Sequence, residues 1–311
     1  MPDLLALGEC MVELFSDEPL AAAPVFVKTF GGDTCNVLVA AARLGTTTGF
    51  ITRVGDDPFG PFLRQSWQAE GIDVSQARLV EGYNGLYLIS LLTGGEREFV
   101  YYRKGSAAST LQPTDLDEQA IAAARVLHVS GISQAISPSS RATVLAAAQM
   151  ARRHGVRVAF DPNLRLRLWS LAEAQAALAE LLPYIDIALP SAPEEAEALI
   201  GERDPERIAA YFLEAGVPLV AVKCGADGVL VAQGSDRIAV AAHVPEQVRD
   251  TSGAGDVFDG AFLHGLIAGL TPARAARLGV VAAGLKLRGR GAIASQARRE
   301  EILLHIEADD A

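Results

Sequence analysis

Short apolar runs and longer alanine-rich stretches take turns along this chain. Asp3–Gly8, Gly49–Val54, Val126–Ser130, Val156–Asp161, Ile185–Pro190 and Leu219–Lys223 read as strands. Most lack a clean apolar–polar alternation, which marks strands covered on both faces. Between them, Thr34–Leu44, Phe59–Glu70, Ser139–His154, Leu171–Leu182 and Pro205–Ala215 carry helical spacing. The alternation predicts an α/β fold, a mostly parallel sheet flanked by helices on both faces.

Two regions depart from this rhythm. Gly85–Leu92 and Arg97–Arg103 are β-rich around Thr93-Gly94-Gly95-Glu96, a hairpin pattern. With Met11–Phe15 and Val25–Phe30 they are expected to form a small separate sheet, drawn from about residues 11–30 and 85–110. A second hairpin is predicted over Gly228–Val240, around Gln233-Gly234-Ser235-Asp236, and the chain from Gly253 onward is mostly helical. No repeat, low-complexity tract or linker interrupts it, so residues 1–311 are expected to form one domain.

Composition mainly excludes. The net charge is −11, whereas proteins that bind nucleic acid through phosphate contacts are more often basic, so no nucleic-acid partner is expected. No stretch of 18 apolar residues occurs, so no membrane partner is expected. The first residues lack a basic segment and are interrupted by Asp3 and Glu9, unlike a signal peptide; the cytoplasm is the expected location. Cys10, Cys35 and Cys224 form no C-x-x-C pair and read as packed thiols. Neither a Walker A pattern nor G-x-G-x-x-G is present, which argues against P-loop ATPases and dinucleotide-binding dehydrogenases.

The segment most suggestive of chemistry is Asp250-Thr251-Ser252-Gly253-Ala254-Gly255-Asp256, just ahead of a long helical pattern. Backbone N–H groups at such a helix start are unpaired, and the helix dipole favours an anion there. Gly253 and Gly255 would let a phosphate approach the backbone. Asp256 in that position is either a favourable first-turn acid or a base that takes a proton from an attacking hydroxyl.

This run resembles the C-terminal signature of the ribokinase-like carbohydrate kinases, the PfkB family. The resemblance implies a ribokinase-like fold with the small sheet as a lid. It implies Asp256 as catalytic base and Gly253, Ala254 and Gly255 as the anion hole, with Ser252, Gly253 and Gly255 touching ATP. Further landmarks follow in family order. Phe30-Gly31-Gly32-Asp33-Thr34-Cys35-Asn36 is similar to the sugar site, implying contacts from Gly31, Gly32 and Asn36; a turn capped by Asp33 or Thr34 is the plainer alternative. Arg53–Gly60 resembles a family turn and is given a structural role. Pro190-Ser191-Ala192-Pro193-Glu194-Glu195 resembles a motif whose Glu arranges magnesium through water, a role carried to Glu194, although Ser191 replaces the family's Asn. Val222-Lys223-Cys224-Gly225-Ala226-Asp227-Gly228 resembles the nucleotide turn, implying Lys223, Gly225 and Gly228 beside ATP; Lys223 either faces phosphate or snorkels from the strand end.

Within the family, Gly85-Leu86-Tyr87, Tyr101-Tyr102-Arg103-Lys104-Gly105-Ser106, His128–Ile132 and Asp161-Pro162-Asn163-Leu164-Arg165 resemble the 2-keto-3-deoxygluconate kinase branch, although the last run also occurs in fructokinases, which are the alternative within the family. An acidic sugar suits Arg, whose planar fork pairs both carboxylate oxygens. Arg103 and Arg165 are the candidate clamps, with Tyr87 and Tyr102 as flanking contacts; salt bridges and core packing are the alternatives for these residues. The substrates expected are then a sugar acid and ATP with Mg2+. Relatives bind potassium near the Asp250 segment, so K+ is a conditional cofactor, and their lids often pair into dimers, implying a homo-oligomer.

Overall fold

The computed structural model describes residues 1–91 and 97–309. Its strands are β1 Leu4–Leu7, β2 Met11–Ser16, β3 Val27–Gly31, β4 Thr48–Gly55, β5 Ile72–Asp73, β6 Ala77–Val80, β7 Leu86–Leu91 and β8 Arg97–Tyr102. β9 Val126–Ser130, β10 Arg157–Asp161, β11 Ile187–Ala188, β12 Leu219–Lys223, β13 Val229–Gln233 and β14 Asp236–Val240 follow. The helices are α1 Asp33–Leu44, α2 Phe59–Ala69, α3 Glu118–Ala122, α4 Gly131–Ala135, α5 Pro138–Arg153 and α6 Leu171–Leu181. They continue as α7 Glu194–Ile200, α8 Pro205–Glu214, α9 Ala254–Ile267, α10 Pro272–Lys286 and α11 Arg299–Asp309.

The large sheet runs β14-β13-β12-β11-β10-β9-β1-β4-β5, with β6 on the far half of β4. Every pair from β12 to β5 is parallel, and the predicted hairpin supplies the antiparallel edge β12-β13-β14. Alternation along β1 shows how both faces are covered. Leu4 and Ala6 enter the apolar layer shared with α1 and α9, and Leu5 and Leu7 enter the layer shared with α5, α6 and α8. Local chemistry starts the helices where sequence expects. Ser170 and Glu173 close a capping box on α6, and Asp204 caps α8 ahead of Pro205.

The predicted strand at Ile185–Pro190 reduces to a two-residue ladder. Its hydrogen bonding runs further, from Asp186 N to Val158 O (2.8 Å) through Leu189 N to Phe160 O (2.9 Å). The second sheet, β3-β2-β7-β8, stands apart from the first. The expected hairpin is its β7–β8 pair; the turn Thr93-Gly94-Gly95-Glu96 lies outside the described residues. Residues 107–110, assigned by sequence to the small sheet, form a 3-10 turn instead, buried at Ala107, Ala108 and Ser109.

Candidate active site

Open α/β sheets bind ligands beyond the carboxyl ends of their strands. Here those ends carry Ser130, Asp161 and Lys223, with α1 and α9 starting beside them. Gly253 precedes α9 at φ +73, a left-handed geometry that glycine adopts without strain. Ala254 N donates to Thr251 O at 3.3 Å, which leaves the N–H groups of Gly255 and Asp256 at the start of the 14-residue helix for an anion. Asp250 shapes the turn: Oδ1 accepts from Ser252 N and Oδ2 from Gly291 N, both at 2.9 Å.

Asp256, 9% exposed, accepts a 2.7 Å hydrogen bond from Asn36 Nδ2 at the start of α1. Burial pushes its carboxyl up from 3.8 to about 7, with the Asp33 charge adding to the effect and Asn36 opposing it. A base that titrates near neutrality suits proton abstraction at that pH. Asp33 accepts from Ser130 Oγ, and burial raises its carboxyl to about 6. It is therefore a buried acid facing β9, not an exposed helix cap.

Lys223 neither snorkels nor presents an unengaged ammonium. Its Nζ donates to Asp161 Oδ2 at 2.9 Å and to both Asp259 oxygens at 3.1 Å, and it lies beneath Gly255, 3.6 Å from where a Cβ would stand. Burial and the charge on Asp161 push the Asp259 carboxyl up. Lys223 and its hydrogen bonds hold Asp161 low against the effect of burial. The buried ammonium is thus paired with two buried carboxylates.

The other wall comes from the small sheet. The Tyr87 hydroxyl donates to Glu13 Oε2 and sits over Gly31, where a Cβ would stand 2.5 Å away. Gly32 lies against the Glu9 carbonyl, 2.3 Å from where its own Cβ would be. Arg103 is ion-paired with buried Glu9, and burial, reinforced by the Arg165 charge, lowers its guanidinium to about 10. Arg165 is exposed, its Nη1 donating to Leu164 O at 3.0 Å, and its charge acts on Arg103, Tyr101 and Asp33.

Two expectations are corrected. Strand alternation places Tyr101, not Tyr102, on the face of Tyr87 and Arg103: the Tyr101 ring stacks on Tyr87 at 5.6 Å, whereas Tyr102 is 59% exposed on the opposite face. In the first turn of α7, Glu194 is exposed and Glu195 turns inward, accepting from Ser191 N and Leu164 N, each at 2.9 Å. Burial and then Asp161 raise the Glu195 carboxyl. One residue of helix turns a side chain by about 100°, enough to exchange the two.

Gly225 and Gly228, expected beside ATP, bracket the turn after β12. Gly228 has φ +95 and would place a Cβ 2.1 Å from Val240 O, so its glycine serves the β13–β14 edge directly. Glu13, Tyr101, Asp161, Asp259 and Glu195 were not singled out by sequence as site residues. Only Asp161, at the head of the quoted Asp-Pro-Asn run, and Asp259, one turn after Asp256, carried a usable signal. Among the described residues no group of three or more His, Cys, Asp or Glu is arranged to hold a metal ion, and no helix is long and apolar enough to cross a membrane.

Comparison with known proteins fits this geometry. Residues 1–299 match the model of the pfkB family carbohydrate kinases. A 2-dehydro-3-deoxygluconokinase of Thermoproteus tenax is 35% identical, covering 97% of this chain and 94% of the relative. A 5-dehydro-2-deoxygluconokinase of Geobacillus thermodenitrificans is 30% identical over 98% and 94%. The crystal structure of an Escherichia coli protein described as a ribokinase II, in complex with ATP and Mg2+, superimposes with a TM-score of 0.91. It is 27% identical, covering 99% of this chain and all of that one.

Proposed function

Because the chain belongs to the pfkB family of carbohydrate kinases, we propose that it transfers the γ-phosphoryl group of ATP to 2-keto-3-deoxygluconate, giving the 6-phospho product and ADP. What supports the substrate class is that two guanidinium groups, Arg103 and Arg165, are near enough for the Arg165 charge to act on Arg103 and on Asp33 at the start of α1. A neutral sugar needs no pair of guanidinium groups, whereas a carboxylate is well matched by them.

The chemistry follows from the residues. The sugar hydroxyl gives its proton to Asp256 as its oxygen bonds to the γ-phosphorus, and the bond from that phosphorus to the bridging oxygen breaks to release ADP. The turn from Gly253 to Gly255 presents the free amides at the helix start to the transferring group, with Lys223 beneath Gly255. Mg-ATP is the co-substrate, as in the E. coli relative with bound ATP and Mg2+. Gly31, Gly32, Asn36, Tyr87 and Tyr101 line the sugar side, and the small sheet acts as a lid that excludes water. The whole chain is read as one kinase domain, working in the cytoplasm as a homo-oligomer.

The test is coupled ADP release with Mg-ATP over a panel: 2-keto-3-deoxygluconate, its galacto epimer, 5-keto-2-deoxygluconate, gluconate, fructose and ribose. A preference for 2-keto-3-deoxygluconate supports the proposal. The 5-keto acid is the second reading, favoured by the G. thermodenitrificans relative. A preference for fructose or ribose would overturn the arginine clamp, and silence on every sugar would point to a non-catalytic sensor.

A further inference from the structure

Lys286 closes α10 and is fully buried. An ammonium group taken out of water costs several kcal/mol unless partners compensate. Its Nζ donates to the Asp250 backbone carbonyl at 2.7 Å and stands 3.6 Å from Asp250 Oδ2. Asp250 is itself 1% exposed, and Lys286, Ser252 and Gly291 hold its carboxyl below the ordinary range against the effect of burial. The two side chains are therefore buried and paired.

The pair sits directly behind the anion site. Asp250 fixes Ser252 and Gly291, and Ser252 leads into Gly253 and the open amides of α9. From the small sheet, Glu13 Oε1 stands 3.5 Å from where a Cβ on Gly291 would be, and its carboxyl senses both Asp250 and Lys286. The potassium ion implied by the family resemblance does not fit here. The carbonyl and carboxylate oxygens of Asp250 are engaged, and a second cation would meet the ammonium.

We propose that Lys286 is a built-in monovalent cation: its tethered ammonium supplies the charge that holds the phosphate-binding turn, so turnover needs no potassium. Lys286 touches neither substrate nor the reacting atoms, so it is a positioning residue. The assignment rests on the kinase reading above, and part of its test does not.

The experiment measures turnover in a potassium-free buffer, with choline chloride exchanged for potassium chloride at about 0.1 M ionic strength to hold screening constant. The wild-type protein should change by less than about twofold. Lys286→Ala leaves room for a free ion and should lose about 10²-fold in kcat, the scale of a misplaced turn, with potassium or ammonium restoring about tenfold or more. Lys286→Met, which fills the space without charge, should be slow and unrescued.

Wild-type activation beyond about fivefold by potassium overturns the proposal. So does a Lys286→Ala protein at full speed in choline, or a folded one that no monovalent cation rescues. Calorimetric titration with thallium(I), a potassium mimic, decides the matter even if the variants fail to fold or no sugar proves active. No binding to the wild-type chain is expected, and one ion bound per chain would overturn the assignment.

Discussion

Replacing Asp256 with Asn should slow catalysis and strengthen the fold, and the second effect should depend on pH in a calculable way. Burial moves the carboxyl from 3.8 to about 7 in the folded protein. Below about pH 4 the group is neutral in both folded and unfolded chains and costs nothing. Between those values the unfolded chain ionises while the folded one resists, so the native state loses stability as pH rises. Above about 7 the loss is complete.

At about 1.4 kcal/mol per tenfold change, the penalty is about 2 kcal/mol at pH 5.5 and about 4 kcal/mol at pH 8. Asn carries no such charge and can still accept from Asn36. The stability advantage of Asp256→Asn over wild type should therefore grow by about 2 kcal/mol between pH 5.5 and pH 8, read by urea denaturation at each pH. kcat should fall about 10²–10⁴-fold, the usual loss of a general base. An advantage that stays level across that range would refute the raised carboxyl. Near-normal turnover would refute the base.

Other changes probe the surrounding shell. In the free enzyme kcat/KM should rise with pH through about 7, as Asp256 ionises; Asn36→Leu removes the hydrogen bond that favours the charged form and should move that limb to higher pH. Arg165→Ala, at an exposed site, should raise KM for the keto acid at least about tenfold with little change in melting temperature. Arg103→Ala strands Glu9, 1% exposed, as a buried charge and should cost about 3–5 kcal/mol of stability as well as substrate affinity. Gly228→Ala meets both a positive φ and Val240 O, and thermal unfolding should show a clear loss.

Architecture was largely legible because it rests on local pattern. Val126–Ser130 and Leu219–Lys223 occupy the predicted strands residue for residue, and the five interior helices fall within a residue of theirs at each end. Apolar runs and capping residues act over a turn or two, and that is what a linear reading resolves. A candidate site could be drawn from sequence where glycine and acid cluster, as from Asp250 to Asp256. It was not legible where the outcome hangs on phase. Adjacent residues decide between Glu194 and Glu195 by helix rotation, and between Tyr101 and Tyr102 by strand alternation. Nor could the pattern show that Lys223 meets Asp161 and Asp259, since those partners lie 62 and 36 residues away and meet only through the finished sheet.

The order in which the site's parts occur along the chain bears on its synthesis. Of the residues proposed for the sugar side, those of β2, α1, β7 and β8 and Arg103 come first and Arg165 follows, whereas the proposed base and anion turn lie at the start of α9. Lys286 comes later still. A ribosome therefore releases the segments of the acceptor pocket long before the part that activates phosphoryl transfer. On the proposed assignment an unfinished chain holds no base beside an anion site, so the growing protein would not waste ATP, and a chain truncated before residue 254 should show no phosphoryl transfer.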